Sequence, residues 1–226
     1  MATEKITLPP DFRGEVRLFP LSNLVLFPGN LLPLHIFESR YKEMLEDALS
    51  DDRLVAMATL TPGFEHDYYS RPPIWPTVCI GRVTVHERTA EGTYNLILAG
   101  LERARIEHEI EPVRSFRRAK VELVGGRWRK LDAASRTLAE RLSREIVRIL
   151  PVARKYFEEL RGRDIPLAAL TDVVAFHLPL ATDLKLALLA ESDARVRAEL
   201  LLANLPSGNL PKGKGPGPYP VDFSAN

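Results

Sequence analysis

Leu18-Phe19-Pro20-Leu21-Ser22-Asn23-Leu24-Val25-Leu26-Phe27-Pro28-Gly29 and, two residues on, Leu32-Pro33-Leu34-His35-Ile36-Phe37-Glu38 are two short apolar runs broken by proline and glycine. Proline fixes its own φ and removes a donor, so Pro28-Gly29 is a chain break between two buried strands rather than the interior of a helix. Immediately afterwards the period changes. Phe37, Tyr41, Met44, Leu45, Ala48 and Leu49 recur at helical spacing with Glu38, Lys42, Glu43 and Glu46 between them. That describes one amphipathic helix packed against the strands that precede it.

Outward from this stretch, the first half of the chain carries short runs rich in β-branched and aliphatic residues, which read as strands. The expected strands are Val16–Leu21, Leu31–Ile36, Leu54–Leu60, Thr77–Glu87, Tyr94–Leu98, Arg103–Ile110 and Phe116–Val124. Glu91-Gly92 sits between two of them and predicts a hairpin turn. From Asp132, a plausible N-cap, Leu138, Leu142, Ile146 and Ile149 mark one face of a long helix that Pro151 ends or kinks. Helical stretches follow at Leu167–His177, Asp183–Ala190 and Asp193–Leu205, with Thr182 and Ser192 placed to cap the last two. The class expected is therefore α+β: an N-terminal extension over residues 1–15, a β-rich lobe with one embedded helix over 16–126, a helical bundle over 127–206 and a Pro/Gly-rich tail over 207–226.

Composition narrows the function classes. The 226 residues are 45% hydrophobic and 27% charged, with a formal net charge of +1, so no global field draws a nucleic acid or an anionic membrane. The lone Cys79 can form no internal disulfide, and no run of apolar residues is long enough to span a bilayer. The expectation is a cytoplasmic protein without a membrane partner. No motif implies a metal or another cofactor. The five histidines fall at no zinc-pair spacing, although His86 and His108 could meet across strands. Gly208-Asn209-Leu210-Pro211-Lys212-Gly213-Lys214 matches most of a phosphate-binding loop, but Gly215 stands where a hydroxyl residue is needed and Pro216 follows. Cys79, between Val78 and Ile80, reads as core, and acidic pairs such as Asp51-Asp52 read as solvated turn charge.

One loop stands apart. Pro62 to Pro76 carries Phe64, Tyr68, Tyr69 and Trp75 between two strands. Aromatics there either roof the protein's own core or anchor a partner, since they bring large apolar area at low entropic cost. They are the candidate contact residues.

The quoted opening, with Phe27, Pro28 and Gly29, resembles the start of the N-terminal substrate-binding domain of Lon proteases. Ile80-Gly81-Arg82-Val83 and Tyr94 to Ile106, which includes Gly100, are similar to later strands of that module. Leu170 to Leu180 is similar to its C-terminal helices, and together the blocks span roughly Val16 to Leu205. The resemblance implies a PUA-like β-lobe followed by helices, a structural role for Phe27, Pro28, Gly29, Gly81 and Gly100, and a module that holds unfolded or damaged polypeptide or a partner protein. These residues carry neither a usable Walker motif nor the Ser and Lys dyad of the protease domain, so the expected role is non-catalytic, as an adaptor or chaperone-like holder. The alternative is RNA binding, which PUA-like lobes perform elsewhere, through Arg114, Arg117, Arg118, Lys120, Arg127, Arg129 and Lys130. A third possibility is a purely structural partner of another protein.

Overall fold

Five strands each contribute aliphatic side chains, several of them alanines, to one narrow interior, and that filling suits a closed barrel. The computed structural model describes residues 7–64, 71–111, 114–125, 132–151, 154–155, 165–206 and 224–225. Its strands are β1 (Glu15–Leu21), β2 (Leu31–Ile36), β3 (Leu54–Thr59), β4 (Thr77–Arg88), β5 (Tyr94–Glu109), β6 (Arg117–Leu123) and the two-residue β7 (Ser224–Ala225). The order is β4-β3-β1-β6-β5-β2-β7, and β4 also pairs with β5. The ring β4-β3-β1-β6-β5 is therefore closed. Within it β1 and β3 run parallel, and the remaining neighbours are antiparallel.

The interior is filled by Val16 and Leu18 of β1, Leu54, Ala56 and Ala58 of β3, Val78 and Ile80 of β4, and their counterparts Leu101, Ala104, Ala119 and Val121. The alanines matter. Five strands leave room for little more, and larger side chains at these positions would splay the ring.

The expectation of two strands over Tyr94–Leu98 and Arg103–Ile110 is corrected to one sixteen-residue strand. Gly100, which lies between the two expected runs, continues the ladder. The Gly29 N–H donates to the Gly100 carbonyl at 2.8 Å, and the Gly100 N–H donates to the Asn30 carbonyl at 2.9 Å. The pairing shifts register there, because Ile80 faces Glu102 whereas Gly81 faces Gly100. This bulge bends β5, so its first half pairs with β2 and its second half with β6.

Helix α1 (Ser39–Leu49) packs Tyr41, Met44, Leu45 and Ala48 inward, and the Phe19 and Tyr41 rings lie 4.5 Å apart. Phe37 does not join that stripe. The helix begins two residues later, Glu38 is extended, and Phe37 is left 44% exposed beside the His35 ring.

Two compact units divide the chain: residues 1–124, 180–190 and 222–226 in one, and 125–179 with 191–221 in the other. The barrel unit thus includes the helix α4 (Thr182–Ala190). Buried Arg103 on β5 donates to the Leu189 carbonyl in the last turn of α4 at 3.1 Å, where a cation also suits the helix dipole.

The second unit contains α2 (Ala133–Ile149), α3 (Leu167–His177) and α5 (Ala194–Ala203). Asp132 caps α2 by accepting from the Ser135 N–H at 2.8 Å, and α2 stops at Ile149, before Pro151. At α5 the expected cap is corrected: Asp193, not Ser192, accepts from the Arg195 N–H at 2.8 Å. Thr182 is likewise the first residue of α4 rather than a residue ahead of it. Arg197 is buried among these helices, donating to Thr171 Oγ1 at 3.1 Å and to the Glu191 and Ser192 carbonyls at 2.8 and 3.1 Å. Its Nε stands 3.6 Å from the buried Asp172 carboxylate. Among the described residues no helix is long and apolar enough to cross a membrane.

Candidate functional site

Between β3 and β4 the chain leaves the barrel and returns through a pinched base. Leu60 bridges Ile74, the Thr61 N–H donates to the Pro73 carbonyl at 2.9 Å, and the Trp75 N–H donates to the Thr59 carbonyl at 2.9 Å. Of the four aromatics expected here as contacts, Tyr68 and Tyr69 lie outside the described residues. The other two have different surroundings. Phe64 is exposed, at 38%. Trp75 is half-buried at the base, and its indole N–H is enclosed without a partner among the described residues. An enclosed indole is mostly packing, so the loop combines a packed foot with an exposed tip.

A second apolar surface lies across β2, β5 and β4, and the sequence reading did not identify it. Residues directly opposite in an antiparallel ladder share a face. The register therefore sets Leu31 beside Ala99 and Arg82, Pro33 beside Ile97 and Val85, and His35 beside Asn95 and Glu87. Leu31 is 52% and Val85 57% exposed, and Phe37 continues the row past His35. His35 is fixed in place by a 2.7 Å hydrogen bond between its Nδ1 and Asn95 Oδ1. Single exposed apolar residues are ordinary, but several on one sheet face mark a contact surface. Its signal in the sequence was the pair Leu31 and Pro33 flanking the buried Leu32 and Leu34. Only the register shows that Val85 belongs with them.

The third feature is a charged cleft of about 610 Å³, lined in part by Phe12, Arg13, Arg17, Asp47, Asp51 and Arg118. At its floor buried Arg17 donates to Asp47 at 2.5 Å, Asp52 at 2.7 Å and Asp51 at 2.9 Å. The reading of Asp51-Asp52 as merely solvated charge is corrected, because both close this network. Burial works against the Arg17 charge, yet the hydrogen bonds to Asp47 and Asp51 outweigh it and hold its pKa above the ordinary value. Burial likewise disfavours the Asp47 carboxylate, but Arg17 and Arg114 hold its pKa below the usual range. This is a tied-down structural network that leaves few charges free for a ligand.

The basic run is committed in the same way. Arg114 donates to Asp47 at 2.7 Å, Arg117 donates to Glu109 and, at 2.7 Å, to the Pro72 carbonyl, and Lys120 donates to the Arg13 carbonyl at 2.5 Å. Arg118 lines the cleft, and its Nε is enclosed without a partner among the described residues. Arg127, Arg129 and Lys130 lie outside the described residues. His86 and His108 do not approach one another: His86 faces Leu96 and His108 faces Lys120, at opposite ends of β5. No group of three or more His, Cys, Asp or Glu side chains among the described residues could hold a metal ion. Cys79 is wholly buried.

Two of the glycines singled out in the sequence mark close backbone approaches. A Cβ on Gly100 would stand 2.3 Å from the Phe27 carbonyl oxygen, and one on Gly81 would stand 2.6 Å from Leu98 Cγ. Gly29 serves differently, through a φ of +77° in open space. Phe27 itself is fully buried.

The match to known proteins spans most of this architecture. The family model of the substrate-binding domain of ATP-dependent protease La (LON) matches residues 15–205. "Lon protease 2" of Myxococcus xanthus is 24% identical over 205 residues, which is 89% of this chain and 24% of that protein. The Lon protease of Escherichia coli is 24% identical over 204 residues, 86% of this chain and 25% of that protein. The chain thus spans about a quarter of the length of these relatives. Among solved structures, a Lon N-terminal domain protein from Xanthomonas campestris superposes with a TM-score of 0.64 at 23% identity, over 85% of this chain and 99% of that one. The N-terminal domain of the Mycobacterium avium complex Lon protease gives 0.63 at 16% identity, over 84% and 96%. At these identities the superpositions speak for the fold.

Proposed function

We propose, from the premise that this chain belongs to the LON substrate-binding domain family, that it is a non-catalytic module that holds unfolded or damaged polypeptide, as an adaptor or chaperone-like holder in protein quality control. The observation that carries the reading is the apolar row Leu31, Pro33, Val85 and Phe37, held rigidly on a sheet face. A rigid scaffold with exposed apolar side chains offers contact area without the entropy cost of ordering a loop, which suits weak binding to many exposed apolar segments. Phe64, Tyr68, Tyr69 and Trp75 remain a second proposed contact, with Phe64 its exposed tip. The Lon relatives carry "protease" in their names, but the matched region is substrate binding. The role proposed for these 226 residues therefore requires neither ATP nor peptide hydrolysis. We place the activity in the cytoplasm.

RNA binding has less in its favour, since Arg114, Arg117 and Lys120 already bond to carboxylates and carbonyls of the barrel unit. The test is ATP-independent binding of fluorescein-labelled, reduced and carboxymethylated α-lactalbumin against its native form. Preference for the unfolded form is expected. Equal binding of both forms, or of neither, refutes the reading, and RNA binding that weakens steeply with added salt would install the alternative.

A further inference from the structure

We propose that the outer edge of β2 accepts an extended segment of unfolded polypeptide as an added parallel strand, and that this chain's own Ser224–Ala225 occupies that edge as an internal competitor. This rests on the polypeptide-holding reading and specifies how the client would be held.

Barrel closure sets the problem. β1, β3, β4 and β6 each have two strand neighbours and β5 has three, whereas β2 has β5 on one side and β7 alone on the other. The β7 pairing reaches only Leu34 and His35, through Ser224 and Ala225 in parallel register. Leu31, Leu32, Pro33 and Ile36 have no strand partner on that side among the described residues. Exposed edges are normally blunted with charged side chains, but Leu31–Ile36 carries no Lys, Arg, Asp or Glu. Pro33 is its one conventional edge device, tolerated because an edge strand can spare an N–H.

The chemistry suits an unfolded client. Unfolded segments differ in side chains but share a main chain, and strand addition recognises the main chain while alternate side chains find apolar neighbours. Here those neighbours are on the β2 face itself: Leu31, Pro33 and Phe37 border the same edge. The resident strand shows that the edge takes extended chain in the parallel sense. At two residues it has few bonds with which to offset the entropy of ordering, so a longer client strand should displace it.

The test compares the full chain with a Ser224→Pro/Ala225→Pro variant, which cannot complete the β7 pairing. The probe is reduced, carboxymethylated α-lactalbumin, with affinity read by anisotropy and β2 amides followed by hydrogen exchange. We expect affinity to rise about three- to tenfold in the variant, and the amides of Leu31–Ile36 to exchange more slowly when probe is bound. If both proteins bind the probe equally and the β2 amides are unprotected, the edge proposal is overturned while the holding reading stands. Tighter binding without protection of β2 also overturns it, since the tail would then compete elsewhere. If neither protein binds the probe, the holding reading falls and the edge proposal falls with it.

Discussion

Replacing Gly100 by alanine should be among the most damaging single-methyl changes this barrel can suffer, and the loss can be worked from the contacts. The new Cβ would sit 2.3 Å from the Phe27 carbonyl oxygen, 3.0 Å from its carbon and 3.3 Å from Cys79 Sγ. Two of those atoms are main chain, so a rotamer change cannot relieve the contact; the Phe27–Asn30 segment must move away. Moving it stretches the pair of hydrogen bonds between Gly100 and Gly29 and Asn30, at 2.8 and 2.9 Å. Each contributes about 1 kcal/mol, and overpacking adds about 1–3 kcal/mol, so the expected loss is about 3–5 kcal/mol. The assay is urea unfolding read by the fluorescence of Trp75, with Trp128 replaced by Phe so that the barrel unit alone is reported. Three other glycines calibrate it. Gly29→Ala meets no atom within 4 Å but keeps a φ of +77°, for about 1–2 kcal/mol. Gly81→Ala would bring its Cβ to 2.6 Å from Cγ of the buried Leu98, a side-chain rather than a main-chain contact, for about 1–3 kcal/mol. Gly125→Ala meets nothing at an ordinary φ and should be neutral or slightly stabilising. A Gly100→Ala loss no larger than that of Gly29→Ala would refute the reasoning.

Arg197→Ala removes a buried guanidinium 3.6 Å from the buried Asp172 carboxylate and should cost about 3–5 kcal/mol in thermal or urea unfolding of the helical unit, with part recovered in the Arg197→Ala/Asp172→Ala double variant. Asp47 has a pKa depressed by folding, so its contribution is complete above the unfolded value near 3.9 and is lost as pH falls through the folded value. The stability gap between wild type and Asp47→Asn should therefore be widest at neutral pH and close in acid unfolding below about pH 4. Leu31→Ser/Val85→Ser, at two exposed positions, should weaken probe binding severalfold while unfolding shifts by about 0.5 kcal/mol or less each; equal losses of both would place these side chains in the core. Phe64→Ser should likewise reduce binding with little change in stability, whereas Trp75→Ser should unfold the loop base and lower both.

Much of the fold was legible because local chemistry and tertiary demand agree. The β2 bounds, the Asp132 cap, the buried Cys79 and the stop before Pro151 all follow from short-range signals. What escaped the sequence depends on partners distant along the chain. Residues 99–102 fell between two expected strands because nothing local reveals that residues 29 and 30 come to pair with Gly100. Asp51 and Asp52 looked like solvated charge because Arg17, more than thirty positions away, is brought to them only by the β1–β3 pairing. Phe37 kept helical spacing without helical backbone. The candidate surface was legible for the same reason only in part: Phe64 announces itself, but Val85 joins Leu31 and Pro33 only through the β4–β5 register, which is irregular at Thr84 of β4.

The assignment of Leu180–Ala190 to the barrel unit has a practical consequence for dissection. The polypeptide passes from one unit to the other at residues 124–125, 179–180, 190–191 and 221–222, so neither is a continuous stretch of gene. A fragment ending at Val124 would omit α4 and leave Arg103 without the Leu189 carbonyl that its buried guanidinium bonds. Excision at the apparent boundary therefore yields an incomplete core, and the region can be transplanted or shortened only with both units kept together.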